Sequence, residues 1–201
     1  MAAIKETLCD ISWWNRNIIF VIHHSVIFIR KHLSRKSEET LIHAFVSSRL
    51  DYCNSLLYGL SQAQIDKIQR VQNAAARLIF KQPKFSYILP VLYQLHWLPI
   101  TYRIEFKILL FIYKAIHGMA PDYICKFISR KSSTRYSLAS SQRIMLEIPS
   151  GKILSTLGRR AFCYTAPKLW NNLPCKISSL DSLSSFKCHL KTHLFKQALY
   201  L

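Results

Sequence analysis

Apolar residues recur at helical spacing through much of the chain. In residues 37–50, the side chains of Leu41, Ile42, Phe45 and Val46 fall on one helical face. Spacings of three and four residues are typical of an amphipathic helix that buries one side. Two glutamates, Glu38 and Glu39, occupy the first turn, where the helix dipole favours negative charge. The pattern therefore predicts a helix here.

A longer helix is predicted over residues 61–81. Ser61 and Gln64 have the S-x-x-Q spacing of a capping box, and Pro83 would end the helix. One stripe of this helix is apolar and the opposite side is cationic. The apolar stripe comprises Ile65, Ile68, Val71, Ala75, Leu78 and Ile79, and the cationic side Lys67, Arg70, Arg77 and Lys81. Taken alone, that side suits either an ordinary solvated face or contact with phosphate.

Two more helices are predicted further along the chain. Residues 102–117 are apolar over most of the helix circumference, which indicates burial on several sides. A narrow polar strip holds Arg103, Lys107 and Lys114, and Gly118 is a natural stop. The second is a final helix at about residues 182–199, with apolar positions at spacings of three and four.

Between about Arg130 and Arg160 the helical periodicity disappears and serine is abundant. Residues 144–148 have an extended pattern that runs into Pro149, Ser150 and Gly151. This predicts a β-hairpin with its turn at those three residues. The expected fold is mainly α, with a bundle-like N-terminal part and a small hairpin in a basic C-terminal part. We place the boundaries at 1–28 (an unmatched leader), 29–122 (a helical region) and 123–201 (the basic region).

Charge is the outlier in the composition. The 201 residues contain 28 Lys plus Arg and 10 Asp plus Glu, a formal net charge of +18. Within residues 123–180 the only acid is Glu147. Such an excess favours a polyanionic partner, most often nucleic acid. The alternative is that the basic composition merely reflects the encoding gene.

The six cysteines form no C-x-x-C pair, and no export signal precedes them, which favours reduced thiols in a cytoplasmic or nuclear protein. The apolar run at residues 18–29 is too short to span a bilayer and contains His23 and His24. A buried helix or strand is the favoured interpretation. A membrane is therefore not an expected partner, although peripheral attachment through this run is a weaker alternative.

No arrangement of acids predicts a catalytic metal site. The aspartates are isolated in sequence, no Y-x-D-D occurs, and the doublet Glu38–Glu39 points in two directions on a helix. Cys163, Cys175, Cys188 and His189 have a spacing far from that of compact zinc sites. The residues present therefore predict no catalytic activity, no metal ligand and no cofactor.

Several strings resemble recurrent stretches of LINE-type non-LTR retrotransposon proteins, in the same order, over about residues 29–198. They include LIHAFVSSRLDYCNSLLYG at 41–59, QRVQNAAARL at 69–78, LHWLPI at 95–100, RIEFKI at 103–108, RAF at 160–162, APKLWNNLP at 166–174, FK at 186–187 and LKTHLF at 190–195. In those proteins the matching segment is the thumb and the region after it. Residues 1–28 depart from the pattern, and we expect a truncated insertion that is read from an unrelated start.

The resemblance implies a parent endonuclease and reverse transcriptase, an RNA-directed DNA polymerase that uses magnesium. Its catalytic aspartates would lie upstream, in a palm domain that is the expected protein partner. The chain itself is then expected to bind RNA or an RNA–DNA hybrid through the sugar–phosphate backbone, without catalysis. The candidate phosphate contacts are Lys67, Arg70, Arg77, Lys81, Arg103, Lys107, Arg159 and Arg160.

Two further interpretations remain open from sequence. Trp97, Trp170 and several tyrosines could stack on bases, but at Leu-Pro corners they are more often core anchors. The whole chain could also be an inert relic that folds poorly and has no biochemical role. Such a relic should lack a cooperative thermal transition.

Overall fold

The computed structural model describes residues 32–131, 144–149 and 158–199. These belong to two compact units, divided after Arg103. The division falls earlier in the chain than the boundary at residue 122 that was placed from the sequence. Residues 1–28 lie outside the described residues, as does the apolar run at 18–29.

Helices build the described part of the first unit. Ser34 caps the first of them, because its hydroxyl accepts a hydrogen bond from the Ser37 N–H at 3.2 Å. The elements in chain order are α1 (Arg35–Ile42), a π-helical turn (His43–Ser47), α2 (Ser48–Asp51), a 3-10 turn (Asn54–Leu57), α3 (Gln62–Phe80), α4 (Leu89–Gln94) and the start of α5 (Ile100–Ile116).

The helix predicted at residues 37–50 is present, but its buried face differs from the prediction. Ile42, Val46 and Leu50 are buried at a spacing of four, whereas Phe45 is 49% exposed. The π-helical turn explains the change, since its wider coil favours a spacing of four over three. The prediction that Phe45 belongs to the apolar face was wrong.

The α3 helix confirms the long helix predicted at residues 61–81. Most of the predicted stripe is buried, including Ile65, Val71 and Ala75, and the helix packs against α1 and α4. The capping box was wrong, because the Ser61 side chain makes no capping hydrogen bond. The helix ends before Pro83, at Lys81, whose backbone is left-handed (φ 53°). The Gln82 N–H then closes on the Arg77 carbonyl at 3.1 Å, as in a Schellman motif.

The second unit is also built from helices. After α5 come α6 (Asp122–Cys125), a 3-10 turn (Gly158–Arg160), α7 (Phe162–Asn172), α8 (Cys175–Ser178) and α9 (Leu183–Leu199). The helices predicted at residues 102–117 and 182–199 are thus confirmed to within two residues at each end. Gly118 has a left-handed backbone (φ 67°) just after α5, as expected of a helix stop.

Aromatic residues form the centre of the second unit. Tyr113, Trp170 and Phe186 are all fully buried. The rings of Tyr113 and Phe186 stack with their centroids 4.1 Å apart, and the ring centroids of Trp170 and Phe186 are 6.1 Å apart. The buried Tyr113 hydroxyl donates to the Leu180 carbonyl at 2.9 Å, so its polar end is satisfied.

The predicted β-hairpin is not supported. The described residues contain no strand, and residues 144–148 instead pair backwards in the chain through one antiparallel bridge, Arg130 with Leu146. Asn171 of α7 takes the other backbone edge of Leu146, accepting from its N–H at 3.0 Å and donating to its carbonyl at 2.9 Å. A helix side chain thus fills the place of a second strand. The proposed turn residues Ser150 and Gly151 lie outside the described residues.

The fold is therefore mainly helical, as the periodicity predicted. Among the described residues no helix is both long and apolar enough to cross a bilayer.

Candidate nucleic-acid interface

The cations predicted to line one side of α3 fall into two groups in the structure. Lys67 and Arg70 are exposed, and their spacing of three places them side by side on the helix surface. Lys81 is exposed at the C-terminal end of the same helix. The buried stripe of α3 faces the core, so these three side chains lie on the part of the helix that remains in solvent.

Arg77 belongs to the other group. It is half-buried, and its guanidinium donates to the Ser86 carbonyl at 3.3 Å. Its Nε is buried without a hydrogen-bond partner. The helical period correctly places Arg77 opposite the core, but the segment after α3 folds back over it. Arg77 therefore holds that segment in place.

Arg103 also has a structural partner. Its side chain is 13% exposed and pairs with Asp51, which is 43% exposed, at 3.1 Å. Burial lowers the pKa of the Arg103 guanidinium, and the neighbouring Asp51 carboxylate partly offsets that effect. Asp51 additionally accepts from the Asn54 amide at 3.4 Å. In this arrangement Arg103 ties the start of α5 to the end of α2.

The remaining candidates lie in the second unit. Lys107 is half-buried, with its ammonium 5.8 Å from the centre of the Phe111 ring. Arg160 is half-buried in the 3-10 turn before α7. The Arg159 side chain lies outside what the structure describes.

A buried amide cluster fixes α3 to the start of α5. Gln72 is fully buried, and its amide donates to the Leu98 carbonyl at 2.8 Å. The side-chain oxygen of Gln69 accepts a hydrogen bond from the Ile100 N–H at 2.8 Å. The side-chain NH2 group of Gln69 donates to the side-chain oxygens of Gln72 and Asn73. Gln69 thus satisfies a backbone donor in the first turn of α5. These hydrogen bonds fix the position of α3, and with it the positions of the exposed cations that this helix carries.

Sequence reasoning named Lys81 but missed the basic and aromatic surface around it at the end of α3. It comprises Lys81, Lys84, Phe85 and Tyr87, all exposed. Nearby, the Arg35 guanidinium lies over the Phe80 ring, 4.2 Å from its centre. One sequence signal was available, because no acid occurs between Asp66 and Glu105. We call this set of four residues the α3-end surface.

The described parts of the chain contain no group of three or more His, Cys, Asp or Glu side chains able to hold a metal ion. Trp97 and Trp170 are buried, in line with the core-anchor interpretation. The Trp170 indole N–H donates to the Ile144 carbonyl at 2.8 Å, which fixes it further.

Comparison of the chain with protein-family models, with curated proteins and with solved structures gives no match.

Proposed function

We propose that this chain is a non-catalytic nucleic-acid-binding segment, corresponding to the thumb and post-thumb region of a retrotransposon reverse transcriptase. The observation that carries the proposal is the set of exposed cations along α3 (Lys67, Arg70 and Lys81), within a stretch that contains no acid from residue 67 to residue 104. Its ligand is RNA or an RNA–DNA hybrid, held by the sugar–phosphate backbone.

The dimensions of α3 suit this role. At about 1.5 Å per residue, Lys67 and Lys81 are separated by about 21 Å along the helix, a length that covers several phosphates of one strand. Contacts of this kind position a duplex without reading its sequence. A-form hybrids in particular are recognised mostly through backbone and shape.

A thumb also needs a stiff scaffold. The side-chain amides of Gln69 and Gln72 connect α3 to the start of α5 and the residues just before it. The Arg103–Asp51 pair connects α2 to the same part of α5. Arg77 anchors the segment after α3. We therefore assign Arg77 and Arg103 to the scaffold and keep Lys67, Arg70 and Lys81 as phosphate contacts.

Nucleotide addition, with its magnesium ions, belongs in this proposal to a palm domain and not to this chain. Two metals about 4 Å apart would need clustered carboxylates. In the first unit, Asp51 is engaged with Arg103, and Asp66 accepts from Gln62 at 2.8 Å. Neither carboxylate has a second acid beside it in sequence.

An equilibrium titration of the full chain with a blunt RNA–DNA hybrid over a range of salt concentrations tests the proposal. Neutralising three phosphates through Lys67, Arg70 and Lys81 predicts that log K falls against log salt with a slope of about −3. Binding that is undetectable at low salt would overturn the proposal. Metal-dependent nucleotide incorporation by the purified chain would overturn its non-catalytic part.

A further inference from the structure

A tight turn follows α3 and is held firmly. The Ser86 N–H and hydroxyl both bond to the Pro83 carbonyl, at 3.1 and 2.9 Å. The Arg77 guanidinium holds the Ser86 carbonyl from the side of the helix. Lys84 and Phe85 are therefore the two central residues of a turn that is tied to α3.

This turn presents aromatic rings to solvent. Phe85 is 92% exposed and Tyr87 is 73% exposed. Among the described large apolar side chains Phe85 is the most exposed and Tyr87 is the next, so both rings are available to a partner, whose binding would bury their apolar area. The hydrogen bonds of the turn keep Phe85 away from the core.

Positive charge lies close to the Phe85 ring. The Lys84 ammonium lies 5.7 Å from the centre of the Phe85 ring, and Lys81 begins the segment. The segment from residue 81 to residue 88 contains no acid. A ligand for this surface must therefore offer both a flat apolar face and negative charge.

We propose that the α3-end surface binds an unpaired nucleic-acid strand, with Phe85 and Tyr87 stacking on bases and Lys81 and Lys84 contacting the flanking phosphates. This inference rests on the proposed function and specifies its ligand as a hybrid with a single-stranded extension. Bases inside a duplex are stacked on both faces, so an unpaired strand offers an exposed ring many more free base faces than a duplex does. Stacking of this type tolerates any sequence, in keeping with a backbone-binding protein.

The test compares three probes on the full chain: a blunt RNA–DNA hybrid, the same hybrid with an unpaired RNA extension, and a single-stranded oligouridine. Phe85→Ala should weaken binding of the oligouridine about fivefold or more and leave affinity for the blunt hybrid almost unchanged. Phe85→Trp should retain binding, because it keeps an aromatic face, whereas Phe85→Leu should not.

Tyr52→Ala is the matched control for Tyr87→Ala. Tyr52 is 72% exposed in the same unit but follows the acid Asp51. Tyr87→Ala should weaken binding of the oligouridine, and Tyr52→Ala should not. Because these side chains are exposed, the thermal midpoints of all variants should match that of the wild type.

Each alternative has its own result. Unchanged oligouridine binding by Phe85→Ala, or full binding by Phe85→Leu, overturns the stacking site while leaving the proposed function intact. Failure of the wild type to bind the blunt hybrid overturns the proposed function instead. A wild type that is dimeric by light scattering, with a monomeric Phe85→Ala variant, would mean that a second copy covers the surface.

Discussion

Gln72 is a fully buried polar side chain on the apolar stripe of α3, and its amide connects that helix to the Leu98 carbonyl. Replacement by alanine removes this bond and the one from Gln69, and leaves the Leu98 carbonyl without that partner. Buried polar groups without partners cost about 1–3 kcal/mol each. Gln72→Ala should therefore lower the free energy of unfolding by about that amount, as measured by urea denaturation.

Gln82→Ala is the control for this substitution. Gln82 is exposed just after α3, so its replacement should change stability by no more than about 0.5 kcal/mol. Equal effects of the two substitutions would mean that the buried amide cluster does not support the fold.

Glu105 on α5 offers a test by pH. Burial raises the pKa of its carboxyl, because the charged form is poorly solvated there. The folded state therefore binds the proton more tightly than the unfolded state, and stability falls as pH rises through the unfolded and then the folded pKa. Glu105→Gln should thus be more stable than the wild type at pH 7.

The advantage of Glu105→Gln should disappear below about pH 4, where the carboxyl is protonated in both states. Glu147→Gln, at an exposed position of the same unit, is the matched control for the loss of one negative charge. A Glu105→Gln variant that is less stable than the wild type at pH 7 would contradict the assigned cause of the shift.

Residue positions opposite the core were predictable from the helical period only where no other segment intervenes. Lys67 and Arg70 are exposed as their spacing requires, whereas Arg77 on the same side is covered by the turn that contains Ser86. Arg103 was expected on a polar strip but is paired with Asp51, which lies 52 residues earlier in the chain. Such distant contacts have no signal in local periodicity.

Among the elements, the segment at residues 144–148 was correctly predicted to be extended, but the group that pairs with its backbone was predicted wrongly. Leu146 is buried, and both of its backbone groups bond to the Asn171 side chain. An extended pattern in the sequence does not reveal whether a strand or a helix side chain bonds to that backbone. The long helices α3, α5 and α9 were predictable because their period is local and is repeated over several turns.

Asn171→Ala should release this segment from α7. Loss of two hydrogen bonds worth about 0.5–1.5 kcal/mol each predicts that the Leu146 amide exchanges with solvent about tenfold faster or more. Asn172→Ala, at the exposed neighbouring position, should leave that exchange rate unchanged. Hydrogen exchange followed by mass spectrometry or NMR measures both rates, and an unaltered rate in Asn171→Ala would show that another group protects the amide.

The whole molecule carries a net charge of +18 and consists of two units, each of which contains a buried apolar core. A large excess of one charge opposes compaction by self-repulsion and is relieved when a polyanion binds. The composition gave the net charge and the hypothesis of a nucleic-acid partner. Only the fold shows which cations remain exposed to solvent.

Removal of exposed α3 cations, followed by measurement of the salt dependence of hybrid binding, shows whether these side chains contact phosphate. The variant Lys67→Gln/Arg70→Gln and the control Lys187→Gln/Lys196→Gln each lose two positive charges, and all four side chains are exposed. If the α3 cations contact phosphate, the slope of log K against log salt should become about two units shallower in the first variant. The control should keep the slope of the wild type. Identical slopes in the two variants would contradict the account.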